Sequence, residues 1–202
     1  MQPSNRSPRL LIASRSTTPG SDAFGMTYHD SAHHNSPRFF IALEDQMSML
    51  EPQAPDLRVQ KWIGADGEST GPLKLSDLGS GPKILFAFQH WCRGCHVHGF
   101  PTLQRLHSAL SPRGVGFAVI QTVFEGADEN TFEKLRVNQL EYALPVAFGH
   151  DEPLVGATLP TFMEDYRTRG TPWFSIIDAG GRIVFSDFHL DADRIVKDLE
   201  LV

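Results

Sequence analysis

Cysteine is almost absent from this chain: its 202 residues contain two, Cys92 and Cys95. That excludes a disulfide framework. The pair is three positions apart, and a bridge across so short a loop restrains the unfolded chain little, so its value is chemical. Also missing is any apolar run near the roughly 20 residues that cross a bilayer. Basic charge is in deficit, with 18 Lys and Arg against 24 Asp and Glu and a net charge of −6. This argues against a nucleic-acid partner, which calls for a basic face. No internal repeat is visible.

What is present is a globular composition, 41% apolar and 21% charged. The length allows one domain of about 150 residues plus an appendage. The appendage is expected at the front. "MQPSNRSPRLLIASRSTTPGSD" is rich in Ser, Pro and Arg and has no acid before Asp22. A signal peptide needs an apolar stretch of about 7–15 residues, and "LLIA" is too short. The Arg/Ser-rich start has some transit-peptide character, but such a composition buries too little to offset ordering, and residues 1–52 are expected to be disordered. His29, His33 and His34 cluster there with nothing nearby to complete a metal site. Residues 53–202 are expected to be the folded domain, with cytoplasmic localisation and with organelle and periplasm as alternatives.

Within the domain, "LRVQKWI" alternates as a strand, "GADGEST" reads as a turn and "LKLSDLG" as a short helix or turn. "KILFAFQ" is a continuous apolar run, the pattern of a central strand buried on both faces. A helix is expected from about Arg93 to Leu110, with Leu103, Leu106 and Leu110 at helical spacing and "SPRG" ending it. "VGFAVIQTVF" is a second buried strand. "NTFEKLRVNQLEY" reads as a helix with Asn130 as N-cap and Glu133 closing a capping box. "LPVAFG" is a short strand and "LPTFMEDYRTRG" a helix to Gly170. "TPWFSIID" and "RIVFSDF" are strands joined by the hairpin "DAGG". "DADRIVKDLELV" is a closing amphipathic helix. The strand–helix–strand part predicts a parallel crossover and the late hairpin an antiparallel pair, giving a mixed sheet flanked by helices.

Both cysteines fall in "QHWCRGCHVHGFP", between a buried strand and a helix start. Unpartnered N–H groups and the helix dipole favour thiolate there, so the pKa of Cys92 should be lowered, with Arg93 adding a cation. Cys95 lies one turn on, within reach of a mixed disulfide at Cys92. The stretch also spells C-x-x-C-H, a haem attachment motif, but the surrounding pattern is sheet-centred rather than that of a small helical haem domain. Zinc on Cys92, Cys95, His96 and His98 would crowd four ligands into seven residues, whereas structural zinc sites usually combine separated pairs. A redox-active dithiol remains the best reading, and it needs no cofactor.

"FAFQHWCRGC" and "YRTRGTPWFSIIDAGGRIVF" together resemble the thioredoxin-like superfamily: a strand followed by Trp-Cys-x-x-Cys, and the Gly-x-Pro hairpin segment. "NTFEKLRVNQLEYALPVAFGHD" resembles the helix–strand insert of its TlpA/ResA-like members, with the AhpC/TSA (redoxin) type as the other relation. The resemblance covers about residues 53 to 202. It implies a thiol–disulfide oxidoreductase acting on protein or small-molecule disulfides with an external thiol reductant or oxidant. Cys92 would attack and Cys95 resolve. Trp91 would pack beside the site. Pro172 would be a cis-proline facing the cysteines, with Thr171 offering backbone to substrate. Where such proteins commonly keep a Glu, this chain has His98, a candidate proton acceptor for Cys95. Their helix proline comes one residue late here, as Pro101, and Gly99 is expected to mark a kink or bulge that absorbs the extra residue. His90, His96 and His107 read as bystanders, with His90 close enough to Cys92 to tune it. Alternatives are a peroxidase, although alignment puts Phe88 and Cys92 where peroxiredoxins carry Pro and Thr, and a redox-sensing or interaction module without catalysis.

Overall fold

A computed structural model describes residues 52–200. Residues 1–51 of the expected N-terminal extension therefore lie outside the described residues, as does the 29–34 histidine cluster. The centre is β3 (Lys83–Phe88), buried at every position. It pairs in parallel with β4 (Gly116–Thr122), which pairs in parallel with β5 (Ala147–Asp151). On its other side β3 meets β6 (Trp173–Ile177) antiparallel, and β6 turns back into β7 (Ile183–Asp187). The hairpin of β1 (Lys61–Ile63) and β2 (Ser69–Thr70) completes a seven-stranded sheet of order β2-β1-β5-β4-β3-β6-β7.

Alternation sorts the sheet's side chains into two cores. Ile84, Phe86, Phe88, Val119, Phe148 and Phe174 face α1 (Phe100–Leu110), α2 (Glu133–Glu141) and α4 (Ala192–Glu200). Leu103, Leu106 and Leu110 of α1 and Leu135 of α2 are buried against them. Leu85, Ala87, Ala118, Ile120, Trp173 and Ile177 face the other way, onto α3 (Thr161–Tyr166) and the segment that carries Leu57 and Val59. The fully apolar β3 thus serves both layers, as its sequence requires.

Several elements differ from the sequence reading. The first strand pairs only over Lys61–Ile63. β5 lies later than "LPVAFG", and α3 stops at Arg167, a non-glycine residue in the left-handed region at φ 52°. Asn130 does not cap α2, which begins at Glu133. Its side chain turns to the cysteine loop instead: Oδ1 accepts the His90 N–H at 2.6 Å, and Nδ2 donates to the carbonyls of Glu125 and Gly126. The late hairpin forms around Asp178–Gly181 as expected, with the Gly181 N–H donating to the Asp178 carbonyl and Gly181 at φ 82°. Pro52 and Gln53 already belong to the fold, since the Ile183 N–H donates to the Pro52 carbonyl and Gln53 bridges Arg182.

Candidate active site

The buried end of β3 runs into Gln89, His90 and Trp91, and the helix begins immediately after Cys92. Residues Cys95–Gly99 form a π-helical turn before α1 takes over at Phe100. Pro101 explains it. Proline has no N–H to donate, and its ring collides with the carbonyl four residues back in an α-helix. The wider turn inserts one residue, and the Phe100 N–H donates to the Cys95 carbonyl five residues earlier. This is the bulge expected at Gly99. Gly99 is also tightly enclosed: a Cβ there would stand 2.6 Å from the Phe86 ring and 3.0 Å from Pro172.

Cys92 is half-buried, whereas Cys95 is fully buried among Phe86, Phe88 and Phe100. Both are free thiols. The Cys95 N–H donates to Cys92 Sγ at 3.2 Å, and Cys92 Sγ lies 3.6 Å from the Thr171 carbonyl. The Cys92 thiol is held down at about 6, chiefly by hydrogen bonding from the Cys95 thiol; burial opposes this, and Thr171 and the backbone N–H groups of Cys95 and Gly94 assist. Burial pushes the Cys95 thiol up, and its hydrogen bond to Cys92 adds to the effect. The two thiols are therefore unequal: one is half-buried and poised as thiolate, the other protonated and enclosed.

The Thr171–Pro172 peptide is cis. Pro172 lies across the cysteine turn, 3.5 Å from where a Cβ on Gly94 would stand. Thr171 Oγ1 is 3.5 Å from Gln89 Oε1. Trp91 is half-exposed and rests on Gly126, at φ 60°, where a Cβ would come within 2.7 Å of the indole. The structure thus brings together Trp91, Cys92 and Cys95 with Thr171 and Pro172, from two stretches of chain some eighty residues apart. His98 stands apart on the exposed side of the π-turn.

Sequence reasoning missed the polar frame beneath this turn. His90 and His96 are part of it rather than bystanders: His96 contacts both the His90 carbonyl and Tyr142, and the His90 ring meets Asn138. Asn138 and Gln139, polar residues on α2, are buried. The available signal was the density of amides and histidines flanking the motif, which local pattern alone reads as surface. Among the described residues no three His, Cys, Asp or Glu side chains converge as metal ligands.

A parallel crossover that delivers a C-x-x-C pair to a helix start, opposite a cis-proline that leads into an antiparallel strand, defines a thioredoxin-like fold. Comparison with solved structures agrees. One, a thioredoxin-like superfamily protein, is 29% identical, with a TM-score of 0.65, over 74% of this chain and 94% of the other. A thiol-disulfide isomerase from Corynebacterium glutamicum is 32% identical, with a TM-score of 0.61, over 72% of this chain and 93% of the other. A thiol:disulfide interchange protein of the thioredoxin family from Chlorobium tepidum, at 18% identity and a TM-score of 0.54, over 73% of this chain and 95% of the other, shares the fold. No protein-family model and no curated protein sequence matches the chain. The chain belongs to the thioredoxin-like superfamily.

Proposed function

We propose that the protein is a thiol–disulfide oxidoreductase in which Cys92 attacks and Cys95 resolves. The observation that carries this is the inequality of the two thiols: a half-exposed Cys92 with a depressed pKa, backed by a buried Cys95 whose N–H already points at the Cys92 sulfur. The names of the Corynebacterium and Chlorobium neighbours support the same class.

In the reducing direction, the Cys92 thiolate attacks one sulfur of a substrate disulfide, and the other sulfur leaves as thiolate. Cys95 then loses its proton and attacks Cys92 Sγ. The Cys92–Cys95 disulfide forms and the second substrate sulfur departs. Two electrons pass to the substrate, and an external thiol reductant restores the dithiol. Trp91, next to Cys92 in the chain, and Pro172, across from Gly94, border the substrate's approach in this reading, and the Thr171 carbonyl, 3.6 Å from Cys92 Sγ, is the partner for an extended substrate. We assign His98 the uptake of the proton that Cys95 releases, by way of solvent. The subtype we favour is TlpA/ResA-like, on the helix α2 and strand β5 inserted between the crossover and the hairpin.

Insulin disulfide reduction tests this reading. Cys92→Ser should abolish turnover, and Cys95→Ser should accumulate a mixed disulfide visible by intact mass. Wild-type protein inactive on disulfides would overturn it, and efficient thiol-coupled peroxide turnover in its place would install the peroxidase reading. His98→Ala should slow release of the mixed disulfide several-fold; an unchanged rate removes His98 from the mechanism.

A further inference from the structure

The histidine that completes C-x-x-C-H has a place in the structure that the exchange reaction leaves unexplained. The His96 ring is engaged at both nitrogens: Nε2 is 2.5 Å from the carbonyl oxygen of His90, and Nδ1 is 2.6 Å from the hydroxyl of Tyr142. A carbonyl oxygen can only accept, so Nε2 carries the hydrogen. In the neutral ring Nδ1 then holds a lone pair, and the Tyr142 O–H donates to it. The tautomer is fixed by its partners.

Those partners are themselves fixed. The Tyr142 ring stacks on Phe100 at 4.0 Å, and its carbonyl accepts from Gln104 Nε2 at 2.6 Å. The burial of Tyr142 pushes its hydroxyl up to about 12, with Glu141 contributing, so it remains a donor at neutral pH. His90 is held on its other sides by Asn130, which accepts its N–H, and by Asn138, whose Nδ2 lies 3.1 Å from the ring. Gln89, whose carbonyl accepts the Cys92 N–H, is tied through Nε2 to the Glu125 carbonyl. Every residue leading into Cys92 except Trp91 is thus bonded to the α2 segment or the loop before it.

We propose that His96 is a positioning residue of the cysteine site: clamped between the His90 carbonyl and the Tyr142 hydroxyl, it holds the loop that presents Cys92 and so sustains the Cys92 thiolate. Two effects act together. The imidazole N–H neutralises the negative end of a carbonyl two residues from the thiolate, where it would otherwise disfavour charge. It also holds the loop against the helix start, keeping the Cys95 N–H at hydrogen-bond distance from Cys92 Sγ. The His96 ring acts through the backbone of His90 rather than on a reacting atom. The inference rests on the oxidoreductase reading for its functional meaning, but its test does not depend on turnover.

The test is the pH profile of iodoacetamide alkylation of Cys92 in the full, reduced chain, with folding checked by circular dichroism. His96→Phe keeps the ring contacts and removes the donor. It should raise the midpoint by about one pH unit, which at pH 6 cuts the thiolate fraction from about half to about a tenth. His96→Gln, whose amide N–H can reach the same carbonyl, should recover most of that shift. Tyr142→Phe deletes a single oxygen and should move the midpoint in the same direction by less, and it carries the test if His96→Phe does not fold. Midpoints unchanged in the folded variants overturn the proposal. So does a wild-type midpoint at the ordinary thiol value, which would leave no stabilised thiolate to sustain. Insulin reduction by wild type separates the two readings. Active wild type with unmoved midpoints removes His96 alone; shifted midpoints with an inactive wild type remove the oxidoreductase reading and keep His96 in its place.

Discussion

Gly99 and Cys92 are the residues whose chemistry is least replaceable. A methyl group on Gly99 would stand 2.6 Å from the Phe86 ring and 3.0 Å from Pro172, so Gly99→Ala should destabilise the fold by about 1–3 kcal/mol, the usual cost of overpacking a close-packed core. Urea unfolding at equilibrium measures it. At Cys92, a thiol held down at about 6 should alkylate with a midpoint near pH 6 rather than at the ordinary value of about 8.5. A depressed acid pKa stabilises the folded state fully above the unfolded value and not at all below the folded one. The reduced protein should therefore gain stability as pH rises from about 6 towards about 8.5, relative to Cys92→Ser. Above that window Cys95, shifted the other way, works against the gain. The cysteine pair was legible from its spacing and its place between a buried strand and a helix start, whereas Gly99 and Pro172 were legible only through the resemblance to the thioredoxin-like superfamily. Asn130, His90 and His96 were not, because their roles depend on a contact between the cysteine loop and α2 some forty residues later.

Among the elements, the apolar runs were the clearest. "KILFAFQ" and "VGFAVIQTVF" became the adjacent parallel strands β3 and β4, because a strand buried on both faces leaves little choice of period or position. The hairpin at Asp178–Gly181 was equally plain. Short elements misled, since tertiary contacts set their ends. α3 is the instructive case. No Ser, Asp or Asn precedes it; Pro160 occupies the N-cap. The cap comes from Asp151 at the end of β5, whose carboxylate accepts from the Thr161 N–H at 3.2 Å, the Thr161 hydroxyl at 2.8 Å and the Phe162 N–H at 2.7 Å. Removing it leaves three buried donors without a partner. Asp151→Ala should cost about 2–3 kcal/mol and loosen α3. Amide hydrogen exchange over residues 161–166 would register the change, and protection equal to wild type would show that the packing of Phe162 and Tyr166 alone holds the helix.

At the scale of the whole molecule, the sheet order is what makes a site from scattered pieces. β3 delivers the cysteines, the loop after β4 supplies the seat for Trp91, and the turn into β6 sets Pro172 across from Gly94 and Gly99. The direction of electron flow depends on the balance between the stabilised Cys92 thiolate and the disulfide, and related dithiols span roughly −270 to −120 mV. In a reducing compartment the pair rests as a dithiol. The most direct test of a redox-active Cys92–Cys95 pair is equilibration of the protein in graded glutathione redox buffers, followed by acid quenching, alkylation and intact mass. A redox-active pair gives a reversible two-electron transition between a doubly alkylated dithiol and an unalkylated Cys92–Cys95 disulfide, with a midpoint inside that range. Cysteines that stay alkylatable at every ratio, or a pair that oxidises without returning, would contradict it.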